Sequence, residues 1–464
     1  MKSLLLLTTI LASIFATAAA QDQHNDEHNS NNDPIIQNYP SLVNWFTSHS
    51  GQIDPRITLG YEEPAHIRGM IATERIEPET VLIHTPASLM INDVNNGGGG
   101  PYQDQCAMIQ RIVEELELGQ DSKWDMYFKF DGSSVPDNNK DDEEEQQQQQ
   151  RHTQIPSQWI REGQPGSRAI KELQGLPPAG QTHRHINWFT TACNNSQEVT
   201  SIQFKALMMF VTRACDLGLV PLYDLANHHN GLINTRLATD DEGGLSMIAS
   251  TAIEANEPIY NTYARGGGGS TVDVFNSYGF VEDYPQLWRW SDVDMTRLVE
   301  EDPNHAFGRY VGPNGDDQGV DGEGRGFEPN SHHYEVLVVS PTLAALHPTK
   351  SLLQVLGNWR RSIDEWKAEI EYHHATLRQS HVNAMHDSAI TVLSELPTTI
   401  AEDAMTILPN ERRLFEKMKK KGRVDQSKAD TIQAIEYRLA FKKALKLAAD
   451  VAESDKFFVD SEEL

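Results

Sequence analysis

Residues 219–230 read LVPLYDLANHHN, and they gather more reactive chemistry than any other stretch of the chain. Asp224, Asn227, His228 and His229 lie within six positions, just after an apolar run that ends in Pro221. Three chemistries are open to such a cluster: a metal site, a base, or a turn that holds a small molecule. Asp224, His228 and His229 are the metal candidates. Adjacent histidines converge on one ion only if the backbone turns sharply, and no HExxH or second His/carboxylate cluster supports them. A serine triad lacks its GxSxG elbow. The second chemistry-bearing stretch is NSYGFVEDYP, residues 276–285, with Tyr278 ahead of Gly-Phe. By itself it also reads as a strand leaving a turn. The third is HIRGMIATERIEPETVLIHTPASLMI, residues 66–91, where Gly69 in a β-like run signals a turn or bulge.

The elements that must position these residues are visible as periodicities. Residues 67–92 alternate short β-like runs with turn residues, which predicts small strands. Met108, Ile109, Ile112, Val113 and Leu116 recur at helical spacing within 105–118. Phe204, Leu207, Met208 and Val211 predict a second buried helix over 201–215, and 245–263 returns to short strands ending in IYNTY. Toward the C-terminus, Leu352 through Ile370 form an apolar stripe, and Thr399 with Glu402 makes a capping box. Ile432, Ile435 and Leu439 mark a third helix there.

Low-complexity pieces separate these elements: NNGGGG at 95–100, DNNKDDEEEQQQQQ at 137–150, GGGG at 266–269 and a Gly-rich run at 312–326. They read as surface insertions, because buried loops leave backbone polar groups unpaired. The first GGGG follows a strand-like run and lacks the Lys-Ser/Thr of a phosphate loop. The net charge of −28 argues against nucleic acid as a partner and suits a basic segment on a protein partner. Cys106, Cys193 and Cys215 are scattered without a CxxC pair, so no Cys-rich zinc site is expected, and all three read as buried free thiols. Residues 1–20 have one early Lys, an apolar run and an Ala18-Ala19-Ala20 end, the pattern of a cleaved secretory signal. The run is shorter than the ~20 residues of a spanning helix. That predicts a chain without a membrane span after cleavage, in the secretory pathway or secreted, with a plastid reached by that route as the alternative.

Taken in order, RGMIA, a helical insert with ELGQDSKWDMYFKF, TRACDLGLVPLYDLANHHNG, IYNTY, YGFVE and LPTTIAED form a series. This series resembles the SET-domain methyltransferases, and more narrowly the branch of the Rubisco large-subunit lysine methyltransferase. The resemblance spans roughly residues 40 to 450. It implies an α+β fold: a β-rich SET domain with a knot-like crossing and a helical insert, followed by an α-helical C-terminal domain. The expected organisation is a signal at 1–20, a disordered tail at 21–39 and a first SET part at 40–94. The insert follows at 95–200 with a low-complexity loop at 131–155, then the second SET part at 201–285. A connecting segment at 286–329 leads to a helical, substrate-binding-like domain at 330–464.

The resemblance also implies S-adenosylmethionine as cofactor and no metal. It places His66, Arg68, Arg213, Asn227, His228, Tyr278 and Phe280 at the cofactor, with Tyr278 as the catalytic hydroxyl. Asp224 and Tyr263 would face the substrate, and His229 has no counterpart. The implied reaction is methyl transfer to a side-chain nitrogen of a protein, lysine foremost and histidine as an alternative. A catalytically idle SET fold that binds a protein partner is the rival reading. Two positions depart from the pattern. Ile67 stands where the first motif carries Gly, which predicts a reshaped turn. A Gly-rich insertion ending in Ser270-Thr271 replaces the usual Asn, next to the expected substrate channel.

Overall fold

The computed structural model describes residues 33–62, 67–92, 101–130, 155–159, 169, 173, 184–215, 217–263, 270–291, 333–340, 343–346 and 426–453. The architecture is α+β. Helix α1 (Pro34–Ser48) opens it, capped by Asp33, whose carboxylate accepts from the Ile35 amide at 2.8 Å. Pro34 in its first turn suits a helix start. Residues 34–39, expected within a disordered tail, are thus helical, and Tyr39, Leu42 and Phe46 are buried against the core.

Strands β1 (Gln52–Ile53), β2 (Ile57–Glu62), β3 (Ile67–Ala72) and β4 (Val81–Thr85) follow. β2 and β3 form an antiparallel hairpin with Gly60 opposite Gly69. Helices α2 (Pro101–Leu118) and α3 (Asp125–Phe130) belong to the insert, and α4 (Arg184–Trp188) runs into one π turn, Phe189–Cys193. All five apolar positions read from the spacing in α2 are buried. Ile155, expected at the end of a low-complexity loop, is buried and starts a short turn.

Helix α5 (Ser201–Arg213) begins with a capping box between Thr200 and Gln203. Beyond it lie β5 (Asn227–His228), β6 (Thr235–Thr239), β7 (Leu245–Ala249), β8 (Tyr260–Asn261) and α6 (Thr271–Tyr278). Strands β1, β4, β7 and β6 make one antiparallel sheet in that order, and β5 pairs with β8 in parallel. One core cluster unites α1, the sheets, α2 and α5 through Phe46, Met70, Leu82, Ile109, Leu207 and Met247. Each such fully buried side chain contributes about 1.5–3 kcal/mol.

Two expectations are corrected here. Cys106 and Cys193 are not free thiols: they form a disulfide that joins α2 to the π turn before α5, whereas Cys215 is in no disulfide. Their sequence separation of 87 residues hid the pairing, which depends on how α2 packs beside α5. Second, the C-terminal region is not all helical. β9 (Gln286–Ser291), β10 (His333–Ser340) and β11 (Leu343–Leu346) build an antiparallel three-stranded sheet. A run of Val336, Leu337, Val338 and Val339, all buried, is strand chemistry. Helix α7 (Gln426–Glu453) covers this sheet. Its buried face is Ala434, Tyr437, Phe441, Ala444 and Ala448, while Ile435 and Leu439 are half-buried. Tyr437 stacks on Phe275 of α6 at 4.1 Å, so α7 braces the helix that ends in Tyr278. The stripe at 352–370, the capping box at 399–402 and the low-complexity runs lie outside the described residues.

Candidate active site

The Asn-His pair sits where three segments meet. β5 runs parallel to β8, with Asn227 beside Tyr260 and His228 beside Asn261. The chain just before β8 pairs on its other side with β3: the Ile259 amide donates to the Met70 carbonyl at 2.8 Å. Residues 258–261 are thus held between β3 and β5. Buried Asn234 locks them by imitating a strand edge, donating Nδ2 to the Pro258 carbonyl and accepting the Tyr260 amide, both at 2.8 Å. The Asn261 carboxamide bonds the Tyr223 hydroxyl beneath.

Asn227 reaches across this junction and donates Nδ2 to the Arg68 carbonyl at 3.0 Å. The approach depends on Gly69, because a Cβ there would lie 2.3 Å from Asn227 Nδ2. Arg68 itself turns its guanidinium to Asp33, at 3.2 Å. Residues 63–66, just before Ile67, lie outside the described residues, and Ile67 itself is not in a turn. It lies in extended β3, paired with Glu62 and 50% exposed, so no left-handed backbone is required of it. His66 lies outside the described residues.

Four rings gather around this junction. His228 stacks on Tyr263 at 5.2 Å, and Tyr263 meets Tyr278 at 4.4 Å. Phe280 stands 6.4 Å from each of His228, Tyr263 and Tyr278. The YGF motif is a helix terminus and not a strand leaving a turn. α6 ends at Tyr278, and Gly279 takes φ 78° as its left-handed cap. That reversal swings Phe280 back beside Tyr278. The Tyr263 amide donates to His228 Nδ1 at 3.0 Å, and its hydroxyl donates to the Ala226 carbonyl at 3.0 Å. Burial, with the Tyr278 hydroxyl next, pushes the Tyr263 phenol well above its ordinary range, so it stays a donor.

Asp224 occupies the floor. Leu222 holds φ 69°, a strained value for a branched side chain, and this bend leads into the short turn that carries Tyr223 and Asp224. The Asp224 carboxylate, 1% exposed, accepts from Arg213 Nη1 and the Tyr127 hydroxyl, both at 2.7 Å. Arg213, expected beside a cofactor, thus has its charge neutralised by Asp224. Tyr127 lies in the insert piece ELGQDSKWDMYFKF but was given no role from the sequence. It brings α3 into the site.

His229 is structural. Its Nδ1 accepts the Gly231 and Leu232 amides at 3.0 and 3.1 Å, capping a tight turn. Burial lowers its pKa to about 4, against an opposing pull from Asp283, so the ring is neutral at physiological pH. No group of three His, Cys, Asp or Glu residues able to hold a metal occurs among the described residues. Nor is any described helix long and apolar enough to cross a membrane. Asn234, Asn230 and Glu282 were also missed by motif reading. Their signal was only a polar side chain within or beside an apolar run.

This geometry defines a fold class. The chain has the fold of the solved SET domain of LSMT bound to lysine and AdoHcy: TM-score 0.50, 16% identity, covering 91% of each chain. No protein-family model matches the sequence. Among curated proteins it is 20% identical over 308 residues to an uncharacterised protein of Schizosaccharomyces pombe, covering 61% of this chain and 62% of that one. It is 22% and 21% identical to the actin-histidine N-methyltransferases of Otolemur garnettii and Homo sapiens, over 272 and 269 residues. Those matches take 53% of this chain and span 43% and 42% of the relatives' lengths.

Proposed function

We propose that the chain is an S-adenosylmethionine-dependent protein methyltransferase acting on a side-chain nitrogen, lysine foremost. The observation that carries the proposal is the meeting of three segments at one junction: Asn227–His228, with Asn227 bonded to the Arg68 carbonyl and His228 stacked on Tyr263, and Tyr263 in turn against Tyr278. The fold of a protein solved with lysine and AdoHcy supports it.

The donor set suits a cationic nucleoside cofactor. Asn227 commits its Nδ2 to Arg68, which leaves Oδ1 to accept from an ammonium. Tyr263 commits its proton to the Ala226 carbonyl, which leaves its oxygen lone pairs to face positive charge. Aromatic faces of Tyr263, Tyr278 and Phe280 favour a cation further. When bound, S-adenosylmethionine supplies an electrophilic methyl carried on a positive sulfur. The residues here bind, align and exclude water. A lysine acceptor ordinarily titrates near ~10.4 and must be neutral to attack. An aromatic, dehydrated channel lowers that value by penalising the charged form. Tyr278 would orient the nitrogen, and alignment alone is worth ~7–11 kcal/mol in well-organised sites. Histidine is the second reading, favoured by the similarity to actin-histidine N-methyltransferases.

The signal-like residues 1–20 and the bridged Cys106–Cys193 pair together favour work in an oxidising, secretory compartment. The acidic chain favours an acceptor with a basic flank. The test is transfer of labelled methyl from S-adenosylmethionine to lysine and histidine peptides with basic flanks. Tyr278→Phe keeps the ring and loses the hydroxyl. It is expected to reduce turnover by about 10²-fold or more while S-adenosylmethionine affinity is unchanged. Label on histidine alone would replace the lysine reading. No transfer to any protein acceptor would favour the idle, partner-binding fold.

A further inference from the structure

Two polar atoms at this junction lack a hydrogen-bond partner among the described residues: His228 Nε2 and Glu282 Oε2. Both side chains are shut away from solvent, at 0% and 1% exposure, and His228 Nε2 stands 3.9 Å from Glu282 Oε1. The other imidazole nitrogen is committed, since Nδ1 accepts the Tyr263 amide at 3.0 Å. A neutral ring whose Nδ1 accepts must carry its proton on Nε2. The Glu282 carboxylate lies 3.9 Å from that nitrogen, longer than a direct hydrogen bond. Glu282 is itself held in place. Its Oε1 accepts Asn230 Nδ2 at 2.8 Å, and Asn230 also donates to the Pro285 carbonyl at 3.1 Å. The Glu282 carbonyl accepts Gln286 Nε2 at 2.8 Å, which ties the turn to β9.

We propose that Glu282 is a positioning residue that sets the tautomer and orientation of the His228 ring. Through His228 Nδ1 it fixes the Tyr263 backbone, and with it the contact between Tyr263 and Tyr278. The physical reason is the cost of a buried carboxylate, which persists only where a donor or cation answers it. A carboxylate behind an imidazole fixes which nitrogen carries the proton. The consequence for cofactor affinity rests on the methyltransferase reading; the link from Glu282 to His228 does not.

The experiment uses the full chain with 15N-labelled histidine rings, compared among the parent, Glu282→Gln and Glu282→Leu. Gln keeps an acceptor oxygen behind the ring, and Leu removes it. Long-range proton–nitrogen spectra should show the Nε2-protonated form of His228 in the parent and in Glu282→Gln. Glu282→Leu should show mixed tautomers and a shifted Tyr263 amide. Calorimetry should show S-adenosylmethionine affinity about tenfold weaker in Glu282→Leu and within about threefold of the parent in Glu282→Gln. Parent-like His228 and Tyr263 signals in Glu282→Leu would overturn the proposal. If Glu282→Leu does not fold, Asn230→Ala loosens the same carboxylate and is read in the same spectra. If the parent binds no S-adenosylmethionine, the methyltransferase reading fails, while the spectra still decide the role of Glu282.

Discussion

Gly69→Ala isolates the contact on which the Asn-His junction depends. Gly69 lies in β3 and has no left-handed backbone, so alanine meets no conformational penalty there. What it meets is Asn227: the new methyl would stand 2.3 Å from Nδ2 and 3.0 Å from Cγ. Ordinary contact needs about 3.5–4.0 Å, so the carboxamide must retreat by more than about 1 Å. It then loses its bond to the Arg68 carbonyl, now 3.0 Å. A lost hydrogen bond costs about 1 kcal/mol, and overpacking adds ~1–3 kcal/mol. The expected stability loss is therefore ~2–4 kcal/mol, read by urea denaturation. S-adenosylmethionine affinity should fall by at least about tenfold, because the group proposed to hold the ligand has moved. Gly60→Ala is the matched control. Gly60 faces Gly69 across the hairpin, and its methyl would press on Ile71 Cδ1 at 2.9 Å without touching Asn227. Because that atom is the tip of a flexible side chain, the change in stability should be small, and affinity should be left alone. If Gly69→Ala binds S-adenosylmethionine as the parent does, Asn227 is not a ligand-holding group and the reasoning fails.

Two further perturbations follow from the structure. Replacing Cys106 and Cys193 by Ser opens an 87-residue loop in the unfolded chain, which chain entropy values at ~4–5 kcal/mol. Denaturation of the oxidised parent and the double variant should differ by several °C, and an unchanged midpoint would deny the bridge any structural part. His229 makes stability depend on pH. Its folded pKa of about 4 lies below the ordinary 6.5, so the unfolded chain takes the proton first. Its contribution is full above about pH 6.5 and is lost as pH falls toward 4, amounting to about 2 kcal/mol by pH 5. His229→Asn, which keeps an acceptor at the Nδ1 position, should flatten the acid limb of the stability profile. An identical limb in both proteins would place that titration elsewhere.

Helices whose buried face follows from local periodicity were readable in advance, as the five buried apolar positions of α2 show. The face of α7 was not. Its rings Tyr437 and Phe441 pack on Trp288 of β9, and the rest of its buried face includes Ala434, Ala444 and Ala448, small residues that carry little hydropathic signal. The β9–β11 sheet was hidden for a different reason: β9 ends at Ser291 and β10 begins only at His333, so their pairing is non-local, while the β10–β11 hairpin fell within a stretch read as helical. At the site, the structure brings His228, Tyr263, Tyr278 and Phe280 together, next to Asn227 on β5, and their roles toward a cofactor remain the proposal. The groups that hold them were not legible. Tyr127, Asn234 and Glu282 act through distances set by tertiary packing, and no local spacing marks them. Ile67 shows the reverse error. A glycine rule for a turn does not apply where the backbone is extended.

The most direct test of the central claim is calorimetric titration of S-adenosylmethionine into the full chain, beside Asn227→Ala. The account predicts saturable one-site binding in the parent, weakened at least about tenfold by the substitution. Absence of binding by the folded parent, or binding that Asn227→Ala leaves untouched, would contradict it.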